Sequence, residues 1–122
     1  MSYQNKLGGW GEIYAENYLI QHGYTIIARN IRTTHGEIDR IVWDGDVIVF
    51  VEVKTRSSHK FGYPDESITK QEMIHMLASA QEYLQTHPEM SGDMRLDVLA
   101  IERRSVQGEV EVSHFKNVVH DV

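Results

Sequence analysis

Residues 36–54, GEIDRIVWDGDVIVFVEVK, hold two runs of residues that favour β-strands, at 38–43 and 47–53. Between the runs lies Asp44-Gly45, a pair that accepts the positive φ angles of a tight turn. Asp-Gly between β-branched runs is among the strongest short-range signals for a hairpin. The stretch therefore predicts two antiparallel strands joined at these two residues.

The register of this hairpin brings several charged residues together. With the Asp-Gly pair at the tip, Asp39 is predicted to lie opposite Phe50. Glu37 then lies opposite Glu52, and Asp39 becomes a diagonal neighbour of Glu52. Side chains alternate between the faces of a strand, so Lys54 falls on the same face as these three acids. The opposite face is predicted to be buried and comprises Ile38, Arg40, Val42, Val47, Val49, Val51 and Val53.

This charged corner has two interpretations. Carboxylates beside apolar side chains cost free energy unless they are neutralised, and like charges directly opposite on a sheet are destabilising. A divalent cation would neutralise them, because Mg²⁺ takes carboxylate and carbonyl oxygens as ligands. Alternatively, this end of the hairpin is exposed to solvent and Lys54 pairs with Glu52. The residues alone leave both interpretations open.

The composition is that of an ordinary globular chain. Its 122 residues, 41% apolar and 25% charged, fit one domain spanning residues 1–122. No apolar run approaches the roughly 20 residues of a membrane span, and the N-terminus lacks the apolar core of a signal peptide. The absence of cysteine excludes disulfides and cysteine-based metal or catalytic sites. We therefore expect a cytoplasmic protein without a membrane partner.

The net charge of −6 argues against nucleic acid as a partner, since Lys and Arg drive binding to phosphates. The basic residues are nevertheless concentrated around the hairpin. Six of them lie within residues 29–60, namely Arg29, Arg32, Arg40, Lys54, Arg56 and Lys60. A basic margin around an acidic centre is compatible with DNA binding, and the candidates for phosphate contacts are Arg32, Arg56 and Lys60.

Apolar periodicity outside the hairpin predicts the remaining elements. They are a helix over 5–22, a strand over 24–30, a helix from about 70 to 85, and strands over 95–102 and 109–115. Thr69 and Glu72 form a capping box at the start of the second helix. The glycine at position 11, with two others nearby, either weakens the first helix or lets it approach the sheet closely. The order α-β-β-β-α-β-β predicts an α/β fold with a central mixed sheet flanked by helices.

Most catalytic patterns are missing. The sequence has no phosphate-binding glycine loop, no HExxH-like histidine pair and no convincing serine triad. What remains is Asp39, followed after twelve residues by Glu52-Val53-Lys54. Asp39, Glu52 and the Val53 carbonyl can hold a metal that polarises a phosphoryl oxygen, while Lys54 orients water or stabilises negative charge on phosphate. This set suits metal-assisted hydrolysis of a phosphodiester.

The same residues resemble a known superfamily. Asp-x(12)-Glu-Val-Lys on a hairpin that follows a helix resembles the PD-(D/E)xK nucleases, which have the restriction-endonuclease-like fold. More closely, the chain resembles the YraN-like uncharacterised family, similar to archaeal Holliday-junction resolvases. The matching blocks are GEIYAENYL at 11–19, GYTIIARN at 23–30, GEID at 36–39, VFVEVKTR at 49–56, FGYP at 61–64 and RLDV at 95–98.

This resemblance implies roles for the residues at matching positions. Asp39 and Glu52 would be metal ligands, with Lys54 as the catalytic lysine. Glu12, in the first helix, matches the helix-borne acid of the resolvase-like members and would support the metal. The alternative for Glu12 is a surface carboxylate near the helix N-terminus. Glu37 would lie just behind the ligands.

The resemblance also places two residues of the second helix, and the chain departs from the family pattern at one position. Lys70 and Gln71 begin the second helix, where related nucleases place polar residues toward the site, although helix starts are polar in any case. Arg40 departs from the family pattern, which has an apolar residue after the aspartate. Either the face predicted to be buried is open at this point, or Arg40 has a partner on it.

These observations favour a Mg²⁺- or Mn²⁺-dependent DNA endonuclease, with branched or damaged DNA as candidate substrates. The resemblance to resolvases, which act as dimers, also implies a homodimer. The alternative is a nucleic-acid-binding or protein-interaction module that keeps the nuclease fold without cutting. The acidic net charge favours that alternative, and the intact set of Asp39, Glu52 and Lys54 favours the enzyme.

Overall fold

A five-stranded mixed sheet carries one helix on each face. The computed structural model describes residues 3–56, 68–103 and 108–119. Its elements are α1 (Tyr3–Gln21), β1 (Thr25–Thr33), β2 (Gly36–Asp44), β3 (Val47–Arg56), α2 (Lys70–Thr86), β4 (Met94–Arg103) and β5 (Val110–Phe115). The strands lie in the order β1-β2-β3-β4-β5, and β3 pairs with β4 in parallel while the other neighbours are antiparallel. The predicted element order and mixed sheet are confirmed.

The sheet separates two apolar cores. One lies against α1 and contains Ala15, Leu19, Tyr24, Val42, Val49, Val51, Leu99 and Ile101. The other lies against α2 and contains Ile38, Ile41, Ile48, Phe50, Ala80, Tyr83 and Leu96. Strands buried on both faces have continuous apolar runs, which explains the sequence at 47–51 and 98–101.

The hairpin turn lies one residue further along the chain than predicted. Val47 pairs with Asp44, so the two turn residues are Gly45 and Asp46. Gly45 has a φ of 60°, whereas Asp46 is not among the residues with positive φ. A turn with positive φ only at its first central residue is of type II′ and requires glycine there, which moves the turn off Asp44.

This turn shifts the predicted register by two residues. Ile41 lies opposite Phe50, and continuing the register places Asp39 opposite Glu52. The predicted opposition of Glu37 and Glu52 is therefore wrong. Because a shift of two preserves the faces, Ile41 and Phe50 still share one core as predicted.

The alternation of faces breaks near Asp39. Ile38 was predicted to share the face of Val42, yet it packs in the same core as Ile41, three residues away. Residues three apart in a regular strand lie on opposite faces. The pairing of β2 with β1 nevertheless keeps one register from Gly36 to Ile41, and the unusual backbone angle nearby is the φ of 50° at Asn30 of β1. The paired register of β2 and β3 ends in this region, at Arg40 opposite Val51.

Two other expectations are refined. The second strand of the hairpin, predicted over 47–53, extends through Arg56, and the FGYP block lies outside the described residues. The capping box of α2 is present as predicted, with Thr69 accepting from the Glu72 amide. Across the part of the chain that the structure describes, neither helix is long and apolar enough to cross a membrane.

Candidate metal centre

Asp39 lies where the ladder between β2 and β3 opens. Its side chain is only 9% exposed, and its Oδ2 accepts a hydrogen bond of 2.8 Å from the Val53 amide. The carboxylate of a β2 residue thus accepts a hydrogen bond from a β3 amide, just beyond Arg40 and Val51, the last paired residues of the two strands. This hydrogen bond therefore fixes the aspartate beside β3.

Three carboxylates converge at this point. Oxygens of Glu12, Glu37 and Asp39 all lie within 4.8 Å of one another, close enough to hold a metal ion. Glu12 reaches the group because α1 approaches β3 closely. A Cβ added at Gly11 would lie 1.9 Å from Oγ1 of Thr55, so only glycine allows this approach. The prediction that small residues here permit close packing is confirmed at Gly11.

Arg40 holds Glu12 in place from the α1 side of the sheet. The arginine is 5% exposed, and its guanidinium donates to Glu12 at 3.0 Å, Glu16 at 2.9 Å and Asn30 at 2.6 Å. The unusual charge on this face is thus explained by buried partners. Glu12 is correspondingly partly buried and paired, which argues against the alternative of an ordinary surface carboxylate.

Burial and mutual repulsion make the acids of this centre weak. Burial, together with the charges of Glu12 and Glu37, raises the pKa of Asp39 to about 6, although the Val53 amide and Arg40 oppose the shift. Burial and the charge of Asp39 raise the pKa of Glu52 to about 8. Acids held in this way gain from a nearby positive charge, as metal ligands do.

Glu52 faces a cavity on the α2 side. The cavity has a volume of about 190 Å³ and is lined by His35, Gly36, Glu37, Glu52, Glu72, His75, Met76 and Ser79. Glu37 therefore belongs both to the carboxylate group and to the cavity wall. The larger cavity, at the hairpin tip, is lined by Trp43, Asp46 and Asp93 among others and lies away from these acids.

Lys54 pairs with a residue that the sequence did not suggest for the site. Its ammonium group contacts Glu72 of α2, so the predicted alternative of a pair with Glu52 is wrong. Burial opposes ionisation of Glu72, but hydrogen bonds from Lys54 and Thr69 outweigh it and lower the pKa of Glu72. The capping box located Glu72 in the sequence without indicating its second partner.

The other predicted residues are more peripheral. Arg32 is exposed on β1 as the ladder partner of Glu37, and Arg56 is partly buried at the end of β3. Lys70 is exposed at the first position of α2, and Gln71 bonds to His75 of the cavity wall. Lys60 lies outside the described residues.

The donor set suits a hard divalent cation. Carboxylates and a main-chain carbonyl are the ligands that such ions prefer. Glu12, Glu37 and Asp39 can each offer one oxygen, and Glu52 and the Val53 carbonyl stand on the adjoining strand. The sequence suggested Asp39 and Glu52 as ligands, whereas the cluster of converging carboxylates contains Glu37 and Asp39 and does not include Glu52.

Comparisons with known proteins identify relatives along most of the chain. Residues 11–101 match the sequence model of UPF0102, an uncharacterised protein family. A UPF0102 protein of Beutenbergia cavernae is 36% identical, covering 97% of this chain and 99% of the relative. One of Chlorobium limicola is 44% identical, covering 80% of this chain and 75% of the relative.

A solved structure is also similar, that of Pyrococcus furiosus SfsA in complex with Ca²⁺. It is 17% identical with a TM-score of 0.41, and the match covers 92% of this chain and 63% of the SfsA chain. The family match spans Glu12, Asp39, Glu52, Lys54 and Glu72, so it includes the whole candidate centre.

Proposed function

The chain belongs to the uncharacterised family UPF0102, and we propose that it is a Mg²⁺- or Mn²⁺-dependent nuclease that hydrolyses phosphodiester bonds in DNA. Membership confirms the resemblance to the YraN-like family. The observation that supports the proposal best is the convergence of Glu12, Glu37 and Asp39 within 4.8 Å, beside a strand that carries Glu52 and Lys54.

The raised pKa values of Asp39 and Glu52 support a cation at this point. A bound divalent ion would supply a Lewis acid for the phosphoryl oxygen and activate water. Glu12, Asp39, Glu52 and the Val53 carbonyl would hold it, with Glu37 as a further oxygen donor. Arg40 keeps Glu12 oriented without contributing a ligand.

Lys54 supplies the positive charge of the centre. It follows Glu52 by two residues on the same strand, so both side chains leave the sheet on one face. An ammonium group there stabilises the negative charge that develops on phosphate. Arg32 and Arg56, with Lys60, are proposed to contact the DNA backbone.

The proposal extends to partners and location. Branched or damaged DNA is the proposed substrate, a homodimer the proposed assembly, and the cytoplasm the proposed compartment. The rival proposal is a module that binds nucleic acid or protein without cutting. It is favoured by the net charge of −6 and by the neutralisation of Arg40 and Lys54 by carboxylates.

Cleavage assays separate the two proposals. Duplex, single-stranded and four-way-junction DNA are incubated with wild type, Asp39→Ala and Lys54→Ala in Mg²⁺ or Mn²⁺. We expect metal-dependent cutting by wild type that both substitutions abolish. Asp46→Ala, at the exposed hairpin tip, is the matched control and should cut normally. A wild type that binds DNA but never cuts any substrate would establish the rival instead.

A further inference from the structure

Glu72 stands between the second helix and the lysine of the centre. Its Oε2 contacts the Lys54 ammonium group, and both side chains are partly buried. Its Oε1 accepts a hydrogen bond of 3.2 Å from the Thr69 amide, and its own amide donates to Thr69 Oγ1 at 3.0 Å. One oxygen thus closes the capping box while the other binds the lysine.

We propose that Glu72, which lines the same cavity as Glu52, is a positioning residue that fixes the ammonium group of Lys54. The inference rests on the nuclease function proposed above. Lysine is a point charge on a flexible four-carbon stem, so its position is set by what its ammonium group binds. The capping box anchors the Glu72 carboxylate to the first turn of α2, which in turn anchors Lys54.

Glu52 is poorly suited to this task. It lies close to Lys54 on β3, but its carboxylate faces the repulsion of Asp39 and is a candidate metal ligand. A carboxylate engaged with a cation has less charge to offer an ammonium group. Glu72 lies outside the group formed by Glu12, Glu37 and Asp39, so it remains a counter-ion for Lys54 when a metal binds.

A purely structural role for Glu72 makes a different prediction. If the residue only caps α2, glutamine should replace it with little loss of activity, because either Glu or Gln can complete a capping box. Glu72→Gln therefore keeps the cap and removes the ion pair. Thr69→Ala does the reverse: it removes the hydrogen bond from the Glu72 amide to Thr69 Oγ1 while leaving the Glu72 charge in place. The two substitutions separate positioning from helix stability.

The kinetic test compares these variants on whichever DNA the wild type cuts. We expect Glu72→Gln to lower kcat by about 10- to 100-fold, the usual effect of a misplaced catalytic group. KM should not rise, since the substitution removes a negative charge near phosphate. Glu82→Gln is the matched control, because Glu82 is on the same helix but bonds to Thr34, and its kcat should equal that of wild type.

A second readout does not depend on cutting. The ¹⁵N-labelled ammonium group of Lys54, identified by its loss in Lys54→Ala, should give a resolved NMR signal in the wild type. Glu72→Gln should abolish that signal through fast exchange with water, and Glu82→Gln should retain it.

Wild-type kcat in Glu72→Gln, or an unchanged Lys54 signal, would overturn the positioning role. So would equal losses of kcat and melting temperature in Glu72→Gln and Thr69→Ala. If the wild type cuts no DNA, the nuclease proposal fails, whereas the NMR comparison still decides whether Glu72 holds Lys54.

Discussion

At the scale of single residues, the buried Arg40 connects the two glutamates of α1 to the neighbouring strands β1 and β2. It donates to Glu12 and Glu16 on α1, to Asn30 on β1, and to the main-chain carbonyl of Asp39 at 2.6 Å. A planar guanidinium with five donors can serve four acceptors at once, which an ammonium group cannot do in the same geometry. Arg40 therefore both stabilises the fold and orients one candidate ligand.

Removal of this arginine should be costly. We expect Arg40→Ala to lower the free energy of unfolding by about 3–5 kcal/mol, because it leaves Glu12 without its ion-pair partner and Glu16 with Arg29 alone. Arg40→Lys should recover only part of the loss. Urea denaturation measures the effect, and Arg32→Ala, at an exposed arginine of β1, is the control that should change stability by less than about 0.5 kcal/mol. A loss in Arg40→Ala no larger than the control would contradict this role.

The two weak acids should make stability depend on pH. The pKa of Glu52 in the folded protein is about 8, above its ordinary value of 4.5, so the folded state binds more protons than the unfolded state between these values. The contribution of Glu52 is therefore complete below about pH 4.5 and is lost as the pH rises through about 8. Asp39, with a pKa of about 6, acts in the same direction at lower pH.

With chelator present, the melting temperature of the wild type should accordingly fall between pH 5 and pH 9. Glu52→Gln should flatten this decline and be more stable than wild type at pH 8, by roughly 1–3 kcal/mol. Mn²⁺ should restore wild type most strongly at high pH, where the carboxylates are ionised. Parallel pH profiles of wild type and Glu52→Gln would show that this carboxyl group is not a weak acid.

At the scale of elements, the spacing of apolar residues was sufficient to predict the five strands and both helices. It also predicted that Ile41 and Phe50 lie on the same face of the sheet. The register was not predictable, because the turn type depends on a single backbone angle at Gly45. The ion-pair partners of Arg40 and Lys54 could not be predicted from the sequence either. Each contact joins a strand to a helix distant in sequence, and local patterns do not specify how a helix lies across a sheet.

The glycines of α1 offer a matched pair of substitutions. Gly11→Ala would force a Cβ into Thr55, so we expect a loss of about 1–3 kcal/mol and weaker Mn²⁺ binding as Glu12 moves away. Gly9→Ala meets nothing within 4 Å and should stabilise the helix by up to about 1 kcal/mol. Thermal unfolding and Mn²⁺ titration of the two variants test this contrast, and equal effects would refute close packing at Gly11.

At the scale of the whole molecule, a second polar network ties the chain together on the α1 side. Asp97, fully buried on β4, accepts from Arg95 at 2.9 and 3.0 Å, from His114 at 2.8 Å and from the Asn117 amide at 3.0 Å. These bonds hold the pKa of Asp97 below its ordinary value even though burial opposes them. The RLDV block thus has a structural explanation apart from the metal centre.

Loss of this network should lower the stability of the fold without changing metal binding at the candidate metal centre. We expect Asp97→Asn to destabilise the fold by about 3 kcal/mol, since it leaves the Arg95 charge without its main partner. Mn²⁺ affinity, measured by titration well below the melting temperature, should remain that of wild type. A variant that folds normally but loses Mn²⁺ binding would instead place Asp97 in the centre.

The candidate metal centre contains residues from both faces of the sheet, which otherwise separates the two apolar cores. Glu12 comes from the helix on one face, while Glu52 lines the cavity beside the helix on the other, and Asp39 lies between them where the pairing of β2 with β3 ends. A cation bound by both acids would therefore join two halves of the core that pack independently. Occupancy would then sharpen the unfolding transition as well as shift it, because neither layer could loosen alone without releasing the ion.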